Sequence, residues 1–237
     1  MSIKIGTGEA AEITTREAAV LDELVGYSVT AGRFGEGVWY VTPWLDGPST
    51  WKVFAPVRRG ELDRTRALAG AVELCRAVAD FHSEGWVHGD LQPQHGLHTG
   101  SGVRLIDFAW SRKRGTTPWT AFDGTMLHLT APELAARIAV GPQPVKTTQA
   151  ADVYALAGTV WTCVTGSWPL DYDKAGISPR ELGVTGLREA IAARRVPLVP
   201  AAVWPELQTV LSQALLAASR DRPSAGELAG LVAAVSA

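Results

Sequence analysis

The stretch that most constrains the fold runs from His88 to Asp107 and has the sequence HGDLQPQHGLHTGSGVRLID. Two aspartates, Asp90 and Asp107, flank a predicted hairpin made of residues 95–98 and 103–106 around a Thr-Gly-Ser-Gly turn. A hairpin of this size brings its two ends together, so both carboxylates are expected to face one small cleft. Two neighbouring acidic groups suit a proton acceptor beside a metal-bound polyphosphate.

The bulk composition excludes several classes of protein. The chain has 237 residues, of which 46% are hydrophobic and 19% are charged, a composition that suits one domain or two small lobes with a sizeable core. Lys and Arg number 22 against 24 acidic residues, so the charge does not predict a nucleic-acid partner. Because no segment has the length and apolarity of a signal peptide or a membrane span, we expect a cytoplasmic protein without a membrane partner. Cys75 and Cys163 lie in apolar helical patterns and are expected to be buried, reduced thiols.

The first part of the chain, residues 1–46, has the pattern of a small β-rich unit with one helix. Alternating and helical spacings of apolar residues predict a first strand, a helix with Thr15 as its N-cap, and a hairpin with a Gly-rich loop at 31–37. The predicted elements are Ser2–Gly6, Thr15–Val25, Tyr27–Thr30 and Val38–Pro43.

The second part, residues 47–237, has mainly helical patterns. The segment Ala150–Thr165 is apolar on most faces, which predicts a buried central helix. Ser49–Arg58 is predicted to be a short helix or an irregular segment, and Ser178–Arg194 to form one or two helices. The other predicted helices are Leu62–Glu84, Pro205–Ala218 and Ser224–Val235.

Four motifs in this second part resemble signatures of the protein-kinase family. In chain order they are His88-Gly89-Asp90-Leu91, Asp107-Phe108-Ala109, Ala131-Pro132-Glu133 and Asp221-Arg222-Pro223-Ser224. The resemblance implies an α+β, bilobal protein kinase-like fold, with a small truncated β-rich N-lobe at 1–46 and a helical C-lobe at 47–237 that looks like that of bacterial Ser/Thr kinases. It also implies a buried pair between Glu133 and Arg222 and an attachment of Asp152 to the backbone of the catalytic loop.

The resemblance assigns a nucleotide site to the first lobe and the hairpin. Lys4 matches the strand lysine that holds the α- and β-phosphates of ATP, and Glu17 matches the helix glutamate that positions it. Leu97 would form the floor under adenine, with His88 and Phe108 stacked beneath the cleft. The cofactors implied are ATP and Mg²⁺ or Mn²⁺.

The catalytic and metal positions combine matches with substitutions. Asp90 matches the residue that orients the acceptor hydroxyl and takes its proton, and Asp107 matches the metal ligand. Gln92 stands where the family has lysine, and His95 stands where asparagine binds the second metal. An imidazole suits softer ions than Mg²⁺, so His95 predicts weak Mg²⁺ binding or a preference for Mn²⁺, unless it only caps the loop. Gly89 replaces the arginine that would meet a phosphorylated loop, so control by loop phosphorylation is not expected.

The combination of matches and substitutions at the catalytic positions is compatible with three functions. The first is a minimal ATP-dependent kinase acting on Ser or Thr in a protein or peptide, by analogy a precursor peptide modified together with a partner protein. The alternatives are a pseudokinase serving as a scaffold or allosteric module, and a small-molecule phosphotransferase, a class that shares the H-G-D beginning. No Gly-rich phosphate loop is recognisable, so a partner protein or a second copy is expected to cover the open nucleotide cleft.

Two further features leave alternatives open. The basic residues 112–114 suit a solvated surface or, beside the cleft, the recruitment of substrate. Four tryptophans in loop-like segments suit an interface or the core; they are Trp44, Trp51, Trp110 and Trp119.

Overall fold

The computed structural model of the protein describes residues 1–61, 64–118, 122, 124, 126–141 and 143–236. A small sheet with one helix comes first, in the order β1 (Ser2–Gly6), α1 (Glu9–Glu23), β2 (Thr30–Phe34) and β3 (Gly37–Thr42). The mainly helical second part contains α2 (Thr50–Val53), α3 (Ala55–Arg58), α4 (Thr65–Ser83), β4 (Trp86–Val87), β5 (Gly96–Thr99), β6 (Gly102–Leu105), β7 (Arg112–Lys113), α5 (Pro132–Ala139), α6 (Gln149–Thr165), α7 (Pro179–Ala192), α8 (Pro205–Leu216) and α9 (Ala225–Ala233). The predicted α+β class is confirmed, and the lobe boundary at residues 46 and 47 stays a prediction.

The small sheet is antiparallel with the strand order β1-β3-β2. The register places Lys4 directly opposite Tyr40, so both side chains lie on the same face of the sheet, the face that packs against α1. Within the described ranges β1 is paired with β3 alone and forms one edge of the sheet. Ile3 and Ile5 flank Lys4 and are 63% and 61% exposed, so the outer face of this edge strand is apolar and open to solvent.

The helix α1 begins at Glu9, six residues before the predicted start, so the prediction that Thr15 is its N-cap is wrong. The Thr15 hydroxyl instead donates to the carbonyl of Ala11, one helical turn earlier. The first turn is mostly solvent-exposed and has no apolar period, which is why the pattern predicted too late a beginning. Val25, predicted to be the last residue of this helix, lies beyond its end at Glu23 and is 80% exposed.

The hairpin also differs from its prediction, because β2 runs through most of the segment that was predicted to be a loop. The turn comprises Gly35 and Glu36, between Phe34 and Gly37. Gly32 is a strand residue that faces the ring of Trp39, and a Cβ at this position would come within 2.6 Å of that ring. The glycine therefore makes room for a cross-strand tryptophan, which a sequence pattern reports only as a Gly-rich stretch.

The second part is built around α6, whose residues 151–164 are all buried. Its predicted bounds, Ala150–Thr165, are confirmed to within one residue: Thr148 caps the first turn by accepting from the Ala151 amide, and Gly166 ends the helix at φ 77°. Helix α4 begins at Thr65, whereas its predicted start at Leu62 lies outside the described residues.

Two predictions about burial in this part are confirmed. Arg222 donates to both carboxylate oxygens of Glu133, at 2.7 and 3.2 Å, which fixes the start of α5 to the segment before α9. Cys75 and Cys163 are buried free thiols, and burial raises the pKa of each to about 12. Among the helices of the described ranges, none has both the length and the apolar character that crossing a membrane requires.

Candidate active site

The loop that carries Asp90 is attached to the central helix. One carboxylate oxygen of Asp152, at the start of α6, accepts from the His88 amide at 2.6 Å, and the other accepts from the Gly89 amide at 2.9 Å. The predicted attachment of Asp152 is therefore present. The loop is therefore anchored to a helix whose residues 151–164 are all buried.

The hairpin β5–β6 brings the two aspartates to one place, with His95 between them. The His95 Nδ1 lies 2.7 Å from the carbonyl oxygen of Asp90, and its Nε2 lies 3.8 Å from Oδ2 of Asp107. Nδ1 must donate to that carbonyl, so in the neutral imidazole Nε2 carries the lone pair, and Nε2 points toward the Asp107 carboxylate. This tautomer leaves Nε2 able to act as a metal ligand.

Asp90 is nearly buried, with 7% of its surface exposed, and its carboxylate lies beside polar groups of its own loop. The side-chain amide of Gln92 donates to Oδ1 of Asp90 at 2.8 Å. Gln92, which stands where the family has lysine, thus orients the Asp90 carboxylate by a neutral hydrogen bond and adds no positive charge.

Lys4 and Glu17 meet across the cleft. Lys4 Nζ lies 2.5 Å from Oε2 of Glu17, and the second oxygen of Glu17 accepts from the Phe108 amide at 3.1 Å. Lys4 Nζ also lies 3.9 Å from Oδ1 of Asp107. One buried carboxylate therefore fixes both the lysine and the loop that carries Asp107.

Tyr40 is a member of this cluster that the sequence argument missed. Burial, followed by the charge of Glu17 and a hydrogen bond to it, raises the pKa of Tyr40 well above its ordinary value. A signal was available, because Tyr40 lies directly across the sheet from Lys4. To identify Tyr40, one needs to know that β1 pairs with β3, and a single sequence does not give the pairing of strands.

The backbone of Asp107 adopts the left-handed conformation, with φ 63°. Asp107 and Arg194 are the non-glycine residues with positive φ in the described part of the chain, so Ala109 fits here without a glycine's freedom. Such backbone conformations concentrate at functional sites. The side chains of Lys4 and Asp107 are 40% and 39% exposed, so this end of the cleft is open to water.

An aromatic column lies beneath the cleft around Phe108. Its ring centroid is 5.4 Å from that of His88, 5.6 Å from Phe81 and 5.2 Å from Tyr27, and Leu21 belongs to the same core. The predicted packing of His88 against Phe108 is present, and Phe81 and Tyr27 extend it. Burial lowers the pKa of His88 to about 4, so this ring is a neutral packing element near neutral pH.

Leu97 lies in β5, at the point where the hairpin meets the chain that links the two parts. It is partly buried and forms a single bridge with Ser49. The next residue, His98, donates its amide to the carbonyl oxygen of Pro48 at 2.9 Å, so this position is next to the segment that connects the two parts. The role of Leu97 as the floor under adenine stays a prediction.

Gly89 has a structural reason to differ from the arginine of the family. Its φ is +80°, and a Cβ would lie 2.6 Å from the carbonyl oxygen of Trp110. The loop therefore passes too close to the segment after Asp107 for any side chain at this position.

We expect Gly89→Ala to lower the free energy of unfolding more than Gly85→Ala. Gly85 has a nearly identical φ of +85° but open space around its Cβ position, so its substitution carries only the left-handed strain, about 1–2 kcal/mol. Gly89→Ala adds the displacement of the Trp110 carbonyl, for roughly 2–5 kcal/mol together. Urea denaturation of the two variants measures the difference, and equal losses would contradict the close approach.

The basic residues 112–114 are not one exposed surface. Arg112 is half-buried and donates to the carbonyl oxygens of Thr116 and Thr147, whereas Lys113 and Arg114 are exposed. Arg112 thus has a structural role that its sequence neighbours do not share.

The tryptophans in loop-like segments also differ in their exposure and contacts. Trp44 is 69% exposed, Trp51 lies 3.6 Å beneath the guanidinium of Arg58, and Trp110 packs against Phe122. Trp119 lies outside the described residues. Trp44 is the described member of the group that suits an interface.

Comparison with known proteins shows which family the sequence matches. The family model for the protein kinase domain matches residues 35–230. The chain is 31% identical over 225 residues to the serine/threonine-protein kinase PkaA of Streptomyces coelicolor, covering 90% of this chain and 38% of that protein. It is 32% identical over 180 residues to the serine/threonine-protein kinase PknH of Mycobacterium bovis, covering 73% of this chain and 27% of that protein. With the probable serine/threonine-protein kinase PknB of Lactococcus lactis, the identity is 29% over 168 residues, covering 68% of this chain and 25% of that protein.

The chain therefore spans well under half the length of these relatives. The family match begins after Lys4 and Glu17, so the assignment of these two residues depends on their contacts. From residue 35 onward the family match covers the catalytic loop, the metal loop and the Glu133–Arg222 pair. The chain belongs to the protein kinase domain family.

Proposed function

We propose that the protein is a minimal ATP-dependent kinase that phosphorylates Ser or Thr in a protein or peptide. The observation that carries the proposal is the double contact of Glu17, which holds Lys4 at 2.5 Å and the Phe108 amide at 3.1 Å. A scaffold has no need of a carboxylate that joins the phosphate lysine to the metal loop. The Ser/Thr kinases among the relatives support the same class of acceptor.

Asp90 and Gln92 are the proposed catalytic pair. Asp90 would orient the acceptor hydroxyl and take its proton, while the Gln92 amide holds Oδ1 of that carboxylate at 2.8 Å. Asp152 fixes the loop backbone, so the carboxylate needs little rearrangement when the substrate binds.

Lys4, Leu97, Asp107 and His95 are the proposed residues for the nucleotide and metal. ATP with its divalent metal supplies the phosphoryl group and neutralises its charge. No cluster of three or more His, Cys, Asp or Glu side chains suited to a metal occurs within the described ranges. A divalent metal held mainly by substrate phosphates and water needs only one or two protein ligands. Asp107 Oδ2 and His95 Nε2, which lie 3.8 Å apart, would supply one oxygen and one nitrogen donor.

We expect phosphoryl transfer to be faster with Mn²⁺ than with Mg²⁺, because an imidazole nitrogen suits Mn²⁺ better than Mg²⁺. His95→Asn should shift the Mn²⁺-to-Mg²⁺ rate ratio toward Mg²⁺ by about 10-fold or more. The matched control is His98→Asn, a histidine on the same hairpin that contacts Thr50 and Glu73. An unchanged ratio in His95→Asn would remove His95 from the metal site.

A second candidate is a pseudokinase that serves as a scaffold or allosteric module. Its supporting observation is the openness of the cleft, where Lys4 and Asp107 are each about two-fifths exposed. Within the active-kinase proposal, the same openness supports a partner protein or a second copy that covers the cleft, in the precursor-peptide case a partner enzyme.

The deciding experiment is transfer from γ-labelled ATP to Ser- and Thr-containing proteins and peptides. The protein is assayed with each metal, alone and with proteins encoded beside it. Metal-dependent label on Ser or Thr supports the kinase, and nucleotide binding without transfer under every condition supports the pseudokinase.

A further inference from the structure

The carboxylate of Glu17 has capacity for a hydrogen bond beyond the two already described. The residue is 2% exposed, and its oxygens accept from Lys4 Nζ and from the Phe108 amide. An ionised carboxylate has about four lone-pair sites, so two donors leave this buried anion incompletely partnered. Because a buried charge is costly unless its hydrogen bonds are satisfied, a third donor at Glu17 would be stabilising.

Tyr40 lies where it can be that third donor. It is 6% exposed and stands directly opposite Lys4, on the face of the sheet that packs against α1. After burial, the charge of Glu17 and a hydrogen bond to Glu17 are the next causes that raise the pKa of Tyr40. A hydrogen bond raises the pKa of a phenol when the phenol is the donor, because the bond then stabilises the protonated form. The Tyr40 hydroxyl is therefore the donor and the Glu17 carboxylate the acceptor.

Lys4 and Tyr40 differ in how firmly the sheet holds them. Within the described ranges β1 is paired on one side, whereas β3, which carries Tyr40, is the central strand between β1 and β2. The Lys4 side chain is 40% exposed, and its ammonium also lies 3.9 Å from Asp107. When Lys4 binds a phosphate, it shares its donors between that phosphate and Glu17. We propose that Tyr40 is a positioning residue, whose hydroxyl holds Glu17 in the site while Lys4 binds phosphate.

Holding Glu17 has a consequence for the metal loop. Glu17 accepts from the Phe108 amide, and Phe108 directly follows Asp107, so a fixed Glu17 also fixes the backbone next to the proposed metal ligand. Tyr40 acts through Glu17, and it does so whether or not nucleotide is bound. The effect on phosphoryl transfer rests on the proposed kinase function, whereas the contact between Tyr40 and Glu17 does not.

The direct test is Tyr40→Phe, which removes one oxygen and keeps the buried ring. In the absence of nucleotide, hydrogen exchange of the Phe108 amide, followed by NMR, should become about 10-fold faster or more, as expected for the loss of a hydrogen bond to a charged group. The matched control is Tyr172→Phe, which removes the hydroxyl of another buried tyrosine, bonded to Nδ1 of His128 at 2.8 Å. It should leave Phe108 exchange unchanged, whereas a general loss of stability would accelerate exchange in both variants.

A double-mutant cycle tests the contact without any assay of activity. Tyr40→Phe should raise the equilibrium constant of unfolding by about 10-fold or more in the wild-type chain. In Glu17→Gln, where the acceptor is neutral, the same substitution should have an effect several-fold smaller. If Glu17→Gln does not fold, Phe108 exchange in Tyr40→Phe and Tyr172→Phe decides alone.

Phosphoryl transfer at saturating ATP should also fall several-fold in Tyr40→Phe. Equal Phe108 exchange in wild type and Tyr40→Phe, equal effects of Tyr40→Phe in the two backgrounds, or equal transfer rates would each overturn the inference. Faster Phe108 exchange in Tyr40→Phe, in a chain whose wild type transfers no phosphate, would overturn only the proposed function. Transfer by the wild type, with Phe108 exchange unaltered by Tyr40→Phe, would overturn only this inference.

Discussion

Asp90→Asn is expected to spare nucleotide binding and remove phosphoryl transfer, whereas substitution of Asp107 is expected to remove metal-dependent binding itself. Loss of a positioned proton acceptor typically costs about 10²–10⁴-fold in rate. For the metal ligand we favour Asp107→Asn, because φ 63° at this position suits asparagine and would add strain to alanine. Label transfer and calorimetry of ATP with metal measure the two effects.

The matched control for both variants is Asp80→Asn, an exposed aspartate on α4, which should leave rate and binding unchanged. Phosphoryl transfer by Asp90→Asn at the wild-type rate would contradict the enzyme hypothesis. If Asp107→Asn still binds ATP in a metal-dependent way, the metal must bind at another site.

Arg222→Ala is expected to be among the most destabilising single substitutions in the chain. The Arg222 side chain is fully buried, and besides Glu133 it donates to the carbonyl oxygen of Ala214 at 3.1 Å. Its removal leaves the Glu133 carboxylate, 22% exposed, without its cation, which costs about 3–5 kcal/mol. For a chain of this size the loss corresponds to a fall in Tm of roughly 6–20 °C.

The control is Arg114→Ala, which removes an exposed arginine and should change the free energy of unfolding by less than about 0.5 kcal/mol. Arg112→Ala is unsuitable, because Arg112 is half-buried and hydrogen-bonded. Similar denaturation curves for Arg222→Ala and Arg114→Ala would mean that the pair contributes nothing.

The same pair predicts the sign of a pH dependence. Burial alone raises the pKa of Glu133, but the hydrogen bonds and charge of Arg222 outweigh it, so the pKa in the folded state lies below its ordinary value. The unfolded chain therefore binds this proton more readily, and the stabilisation is present above the unfolded pKa of about 4.3 and lost as pH falls through the folded pKa. Arg222→Ala should lose this part of the acid dependence.

The sequence predicted the second part of the chain better than the first, for a physical reason. Asp152, Glu133 and Arg222 each need one specific buried partner, so their motifs imply individual contacts, and those contacts are present. The start of α1 and the course of β2 lie at the solvent surface, where no apolar period marks an element. Hydrophobic periodicity therefore does not predict the bounds of such segments.

The candidate site shows the same division. The meeting of Lys4 with Glu17 and of Asp90 with Asp107 followed from motifs, whereas the role of Tyr40 required the strand register. The burial of Arg16 on α1 depends on Trp110 and Phe122, which come about a hundred residues later. Contacts between segments so distant in sequence leave no periodic trace in either one.

The free edge of β1 has a consequence for assembly. Within the described residues, Lys4 lies on a strand that is hydrogen-bonded on one side. If Lys4 binds phosphate as proposed, the pairing of this strand and the binding of phosphate are expected to be thermodynamically linked. Linkage is reciprocal: any strand that pairs with β1 and raises nucleotide affinity has its own affinity raised by nucleotide, by the same factor. Amide exchange at Ser2–Gly6 would report both effects. Nucleotide would then act as a signal that selects which chains associate with this edge, in addition to being a phosphoryl donor.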